Sequence, residues 1–405
     1  MKMVRSGARR LRELQDSTRI LLFCSFLIPF GSFLVLPFVP VMLSNIGGTD
    51  MRIVGWILAV ASLIQFGGGL VGGMVADRIG LKKAMILGLL TRSLGFGLIV
   101  LSTQYLWLLI PSVLTIAAGA AIYLPANKAY LIKGLADEQR AIFLSFSNSA
   151  FNAGMGLGPL VGSFFIMSNR GLLFSVTFGI FVLATILHIR VLASDRISGT
   201  TGAYVSPTRM EFGRASKMTA PLLFNFMAFY CYFYFQNYIG PYVVENHPPE
   251  MLGAILLLNS MLVIFVQPLV AKRIERSSYG AILSLSFLAV AVGAVFLSIG
   301  SAASLLLGVV FFTMMEISVF LKNDLVFVAA LSESPATAFG LQRLSGGLGA
   351  FVSSAAGGML FARAASNAEG STGDFWLWLS VQCAVLLFAS VLYWVSQSRY
   401  RSPAV

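Results

Sequence analysis

The chain has 405 residues, 57% of them hydrophobic and 11% charged, with a mean hydropathy of +0.84. Soluble domains carry about a quarter charged residues, so the composition excludes a soluble enzyme or binding module and describes a polytopic membrane protein. The formal net charge of +12 would suit nucleic acid, but the basic residues are placed for a membrane instead.

About 20 apolar residues cross the hydrocarbon core as a helix. Twelve such segments are predicted, at 20–43, 52–76, 84–103, 106–127, 140–167, 171–191, 217–244, 251–271, 279–300, 303–325, 336–361 and 375–396. The expected fold is therefore all-α. A basic segment, 1–19, precedes the first six spans (20–191). The polar linker 192–216 separates them from the second six (217–396), and the tail is 397–405. The first apolar run is too long for a signal peptide and no small-residue cleavage site follows it, so it reads as a retained span. The connection 362–374 is longer and polar, with no function assigned to it.

With the N-terminus inside, 23 of the 28 Lys and Arg fall in cytoplasmic segments. Arg52, Arg170 and Arg363 fall outside, and Arg92 and Arg343 lie within spans. Such an excess marks cytoplasmic loops, which puts both termini in the cytoplasm. The charge then serves topology and anionic headgroups, not nucleic acid. Cys24, Cys231 and Cys383 sit in separate spans without paired spacing, so neither a disulfide nor a metal site is expected.

In chain order, the first motif is Gly73-x-x-x-Asp77-Arg78-x-Gly80-x-Lys82-Lys83, in the short connection between spans two and three. Its glycines permit a tight turn and close helix approach. Span five carries Gly154, Gly158, Pro159 and Gly162: small residues every fourth position, on one stripe where a neighbouring backbone can approach. Ser145, Asn148 and Asn152 form a second, polar stripe of the same helix, and Asn148 and Asn152 are expected to face the cavity as part of the substrate or proton pathway.

Both regions recur. The loop aligns with Gln267–Glu275 at an offset of 195, and the stripe with Ala350, Ser354 and Gly358 at 196. Pro125–Lys128 aligns with Leu321–Asp324 at the same 196. Agreement of three regions within one residue marks two copies of one six-span unit.

The loop resembles the signature loop of the major facilitator superfamily, and the Gly158-Pro159 run resembles the antiporter motif of its proton-driven drug exporters. With twelve spans and a 6+6 repeat, the resemblance covers the whole chain. It implies two pseudo-symmetric six-helix bundles around one central cavity. It also implies a latch role for Gly73, Asp77, Arg78 and Gly80, the alternative being a basic turn that only sets topology. For span five it implies a bundle-contact role that limits leak, the alternative being helix packing alone. The chain departs from the exporters in two places. Thr115 stands where span four usually has an arginine, four residues before Gly119, and residues 20–43 contain no acid. The usual proton route is missing.

Ionisable groups inside a bilayer are costly and mark functional sites. Glu316 lies well into span ten, sharing a face approximately with Thr313 and Asn323, and is the candidate proton carrier or contact for a cationic substrate. Arg92 and Arg343 are basic counterparts that would suit an anionic substrate if they line a cavity. Lys128 and Asp324 occupy equivalent repeat positions and are a candidate inter-bundle gate, snorkelling being the alternative. His188 reads as structural. In span seven, Tyr230, Tyr234, Tyr238 and Tyr242 recur at i+4 with Gln236 and Asn237 nearby. Tyr230 and Tyr234 are expected to line the cavity.

The function expected is proton-driven export of an amphipathic organic molecule or drug across a bacterial inner membrane by alternating access. Rivals are export of an anionic metabolite or siderophore, an uptake symporter, and a sensor that binds without translocating. The expected partners are a small-molecule substrate, protons and the lipid bilayer, with no nucleic acid; the protein is expected to be monomeric. No cofactor is expected. With no phosphate loop, nucleophile elbow or metal-ligand cluster in the sequence, an enzyme is not expected either.

Overall fold

The computed structural model describes residues 16–132, 137–191, 212–330, 335–366 and 372–399. Residues 1–15 of the basic N-terminal segment, 192–211 of the linker and 400–405 of the tail lie outside the described residues, as does Lys133. The described residues form helices joined by short turns, without strands. Helices bond their own backbone groups internally, which hydrocarbon demands of any spanning segment.

Among the described residues, eleven helices are long and apolar enough to cross a bilayer, and a bent pair makes a twelfth. The first six spans are Arg19–Ser44, the pair Met51–Gly67 and Val71–Ile79 meeting at 43°, Leu81–Leu101, Leu106–Leu131, Phe146–Ile166 and Arg170–Val191. The second six are Met218–Asn246, Pro249–Arg276, Tyr279–Ile299, Ala302–Phe327, Leu341–Ser366 and Gly373–Ser396. Gly80, at φ 92°, joins spans two and three, and Gly300, at φ 74°, joins nine and ten. Both turns use backbone that a side chain would strain.

Packing divides the chain into two compact units. One lies within Met1–Leu36 and Gly68–Ala203, the other within Pro37–Gly67 and Tyr204–Val405. In the first, span one packs on five and six, three on four and six, and the second part of two on four. In the second, span seven packs on eleven, nine on ten and twelve, and eight on ten. Apart from that of one with six, these pairings repeat six spans on, so the repeat seen in sequence extends to the contacts. Residues 37–67 pack within the second unit, where Met51–Ser62 lies against span eleven.

The small-residue stripes explain these contacts. A Cβ at Gly154 would come within 2.5 Å of the Phe26 carbonyl oxygen, and one at Gly158 within 2.8 Å of that of Phe30. Pro159 and Gly162 are buried on the same helix. Span five therefore presses its glycines onto the backbone of span one, inside the first unit. Span eleven is small on two sides. Gly349 abuts the Phe226 carbonyl of span seven, while Gly358 would place a Cβ 2.5 Å from the Met51 carbonyl oxygen. The second copy of the stripe thus serves the contact of span eleven with Met51–Ser62.

Buried aromatics fill both interiors. Phe96 stacks on Phe181 at 4.3 Å in the first unit, and Tyr234 on Phe375 at 4.3 Å in the second. Cys231 and Cys383 are free thiols whose sulfurs lie 3.7 Å apart between spans seven and twelve. The folded chain brings together two cysteines that sequence spacing keeps apart.

Candidate functional site

Glu316 sits half-buried on span ten. The Asn259 side chain on span eight donates from Nδ2 to its carboxylate at 2.8 Å and to Thr313 Oγ1 at 3.0 Å. Thr313, one helical turn before Glu316, is fully buried and donates to the Val309 carbonyl at 2.8 Å. Among the described residues the carboxylate has no ion-pair partner. Asn323, expected on the same face, belongs to another network, accepting from Tyr279 at 2.9 Å and donating to Asn225 at 3.0 Å.

Beside the carboxylate is an aromatic face. Phe229, Tyr232, Phe233 and Gln236 follow one another at i, i+3, i+4 and i+7 on span seven, so they share one side of the helix. All four are half-buried, like Glu316. Gln236 donates to the Tyr232 hydroxyl at 2.9 Å, and the charge of Glu316 acts on Tyr232. Phe320 packs 4.9 Å from Phe229 and 5.3 Å from Tyr232. Phe66 closes on Phe233 at 5.4 Å and Phe229 at 5.9 Å. Apolar rings with a few fixed polar groups are the usual lining of a small-molecule site.

The tyrosine stripe faces elsewhere, which corrects the sequence expectation. Tyr230 donates to Gln382 at 2.9 Å, Tyr234 to the Phe375 carbonyl at 3.0 Å, and Tyr242 to the Leu297 carbonyl at 2.7 Å. Tyr238 donates to the Ser354 carbonyl. Each hydroxyl is satisfied inside the unit, and Tyr234 and Tyr238 have no exposed surface. The i+4 stripe is a packing seam, as buried tyrosines with partnered hydroxyls usually are. Of the span-seven candidates, Gln236 remains on the open face, Tyr230 is partly open, and Tyr234 belongs to the core.

The basic candidates are engaged. Arg92 is buried in the first unit, donating to Ser32 Oγ and lying 4.7 Å from the centre of the Phe181 ring. Its stem occupies the space left by Gly119, where a Cβ would meet Arg92 Cγ at 2.5 Å. Buried beside it, the Tyr123 hydroxyl lies 3.3 Å from His188, whose other ring nitrogen meets the Ala184 carbonyl at 2.7 Å. Arg92 is therefore an interior residue, and the expectation that it lines a cavity is corrected. Thr115 bonds back to the Pro111 carbonyl at 2.7 Å. Arg343 lies within the electrostatic reach of Asp324, which also accepts from Gln342 at 2.7 Å. Lys128 is exposed on span four.

Asn152 donates to the Asn148 carbonyl at 2.9 Å, and Asn148 itself is exposed. The side chain of Ser145 lies outside the described residues. The signature residues Gly73, Asp77 and Arg78 lie on the helix Gly68–Ile79 rather than in the expected connection; Asp77 and Arg78 are exposed and Gly73 faces open space. The crowded glycine is Gly72, where a Cβ would stand 2.1 Å from the Ala121 carbonyl oxygen. The repeated loop is held differently. Lys322, on span ten, donates to the carbonyls of Ile274, Glu275 and Ser277 at 3.2, 2.9 and 2.6 Å. An ammonium on the last carbonyls of a helix satisfies orphan acceptors and complements the helix dipole.

A sequence profile for the Major Facilitator Superfamily matches residues 21–354. Multidrug resistance protein MdtH of Proteus mirabilis is 36% identical over 180 residues, 44% of this chain and 45% of the relative. MdtH of Photorhabdus laumondii is 33% identical over 180 residues, with the same coverage of 44% and 45%. The matches thus span less than half the length of these curated relatives. Among solved structures, the nucleoside transporter NupG superposes with a TM-score of 0.75 at 10% identity, covering 93% of this chain and 99% of that one. A POT family transporter in complex with 5-aminolevulinic acid gives 0.76 at 14%, covering 93% and 95%. At such identities these likenesses speak for the fold alone.

Proposed function

The chain belongs to the Major Facilitator Superfamily, and from that premise we propose that it exports amphipathic organic small molecules across a bacterial inner membrane in exchange for protons. The two six-span halves, 20–191 and 217–396, would open a shared site alternately to either side. The observation that carries this reading is Glu316, an intramembrane carboxylate with one amide donor and, among the described residues, no countercharge, next to the face of Phe229, Tyr232, Phe233 and Gln236. Such a carboxylate can hold a proton or meet a cationic substrate, while the rings take an apolar body. The MdtH relatives, named for multidrug resistance, support the same substrate class.

The anionic-substrate reading is weaker because its basic residues are occupied. Arg92 is buried under Phe181, and Arg343 faces Asp324. The basic loops support a topology with both termini cytoplasmic. We assign the latch to Gly73, Asp77, Arg78 and Gly80, and keep Lys128 with Asp324 as the cytoplasmic gate. The protein works as a monomer. The test is Glu316→Gln in proteoliposomes: proton-driven substrate movement should be lost while substrate exchange without a gradient persists. Unchanged driven transport would remove Glu316 from the mechanism.

A further inference from the structure

Where span eleven ends and span twelve begins, the second unit has a cleft of about 220 Å³ lined by Leu360, Arg363, Asp374, Leu377, Trp378 and Val381. Drug-sized guests fill pockets of about 300–1,000 Å³, so this cleft suits a smaller group. Arg363 lies three residues before the end of span eleven at Ser366, and Asp374 is the second residue of span twelve. That is the depth at which membrane helices meet headgroups. The two opposite charges share the cleft without an ion pair between them, among the described residues. From Asp374 the wall continues inward along one face of span twelve, at i+3, i+4 and i+7. Leu377 is 42% exposed, Trp378 56% and Val381 57%. Val381 lies about 10 Å deeper than Asp374 at helical rise, in the acyl-chain region.

We infer that this cleft holds a zwitterionic membrane phospholipid whose headgroup ends in a primary ammonium. The Arg363 guanidinium takes the phosphate, for which its planar fork is suited. Asp374 accepts from the ammonium. One acyl chain lies over Leu360, Leu377 and Val381, with the Trp378 indole at the interface, where tryptophans collect. An anionic headgroup would set its net charge against Asp374, and a quaternary ammonium would offer it no N–H. The cleft is separate from the Glu316 site and does not depend on the transport reading.

Native mass spectrometry of the full chain in detergent, titrated in turn with phosphatidylethanolamine, phosphatidylglycerol and phosphatidylcholine, tests the assignment. The wild type should retain phosphatidylethanolamine about tenfold more tightly than either other lipid, the scale of one lost charge-assisted hydrogen bond. Arg363→Gln and Asp374→Asn should each lower that retention by about tenfold, and Lys272→Gln, at an exposed lysine outside the cleft, should leave it unchanged. Equal retention of the three lipids by the wild type would overturn the assignment, whatever the stability of the variants. So would unaltered retention by both cleft variants. Soluble phosphoethanolamine binding as tightly as the lipid would also overturn it, in favour of a free anion.

Discussion

The Asn259 amide on span eight and the Glu316 carboxylate on span ten meet at 2.8 Å, and this bond sets the orientation of an acid that has no ion-pair partner among the described residues. Its second donor contact, to Thr313, holds the amide so that Nδ2 points at Glu316. Replacing Asn259 by Ala removes a hydrogen bond to a charged group, a change of about 1.5–3 kcal/mol. Substrate affinity should fall by roughly tenfold or more. Tryptophan-quenching titration of the purified protein reads this, and an unchanged dissociation constant would separate Asn259 from binding.

Tyr232 and Tyr234 are two residues apart and face opposite surroundings. Tyr234→Phe strips a buried hydroxyl from the Phe375 carbonyl and should lower stability by about 0.5–1.5 kcal/mol while leaving the substrate range intact. Tyr232→Phe removes a hydroxyl from the half-buried face and should shift the relative transport of different drugs at unchanged melting temperature. Melting curves in detergent, set beside resistance profiles of cells expressing each variant, separate the two. The reverse assignment of effects would place the site on the other side of span seven.

The signature loop makes a sharp distinction between neighbours. Gly72→Ala would drive a Cβ against the Ala121 carbonyl, whereas Gly73→Ala enters open space. Overpacking of this kind costs about 1–3 kcal/mol, so only the first variant should lose thermal stability. Gly158→Val, pressed on span one, should behave like Gly72→Ala. A destabilised Gly73→Ala would show that the loop packs on something further.

Lys322 pins the end of span eight through three carbonyls, and its counterpart in the first repeat is Ala126. Lys322→Met should therefore destabilise the protein by about 1.5–3 kcal/mol, far more than Lys272→Gln at an exposed position in the last turns of span eight. Equal melting temperatures for the two variants would reduce Lys322 to a topological charge.

Spans, repeat and family were legible because they rest on local composition and on spacing along one chain. Glu316 was legible for the same reason, since a lone acid in an apolar run marks itself. Asn259 was not. Its role depends on the rotation of span eight against span ten, which sequence periodicity does not encode. The four tyrosines at i+4 share a face as their spacing requires, but spacing does not say which face is open. Packing by Phe375, Trp376 and Ser354 turned that face inward and left Phe229, Tyr232, Phe233 and Gln236 open. The glycines of span five likewise showed that a backbone comes close, but not that the backbone is span one.

Proton-driven export is tested most directly in everted membrane vesicles from cells expressing the chain, by fluorescence of an amphipathic cationic drug during respiration. Drug should accumulate in the vesicles, collapse on addition of an uncoupler, and fail to accumulate in Glu316→Gln vesicles that contain equal amounts of protein. Accumulation that persists after the proton gradient is dissipated, or that is equal in the Glu316→Gln vesicles, would contradict it.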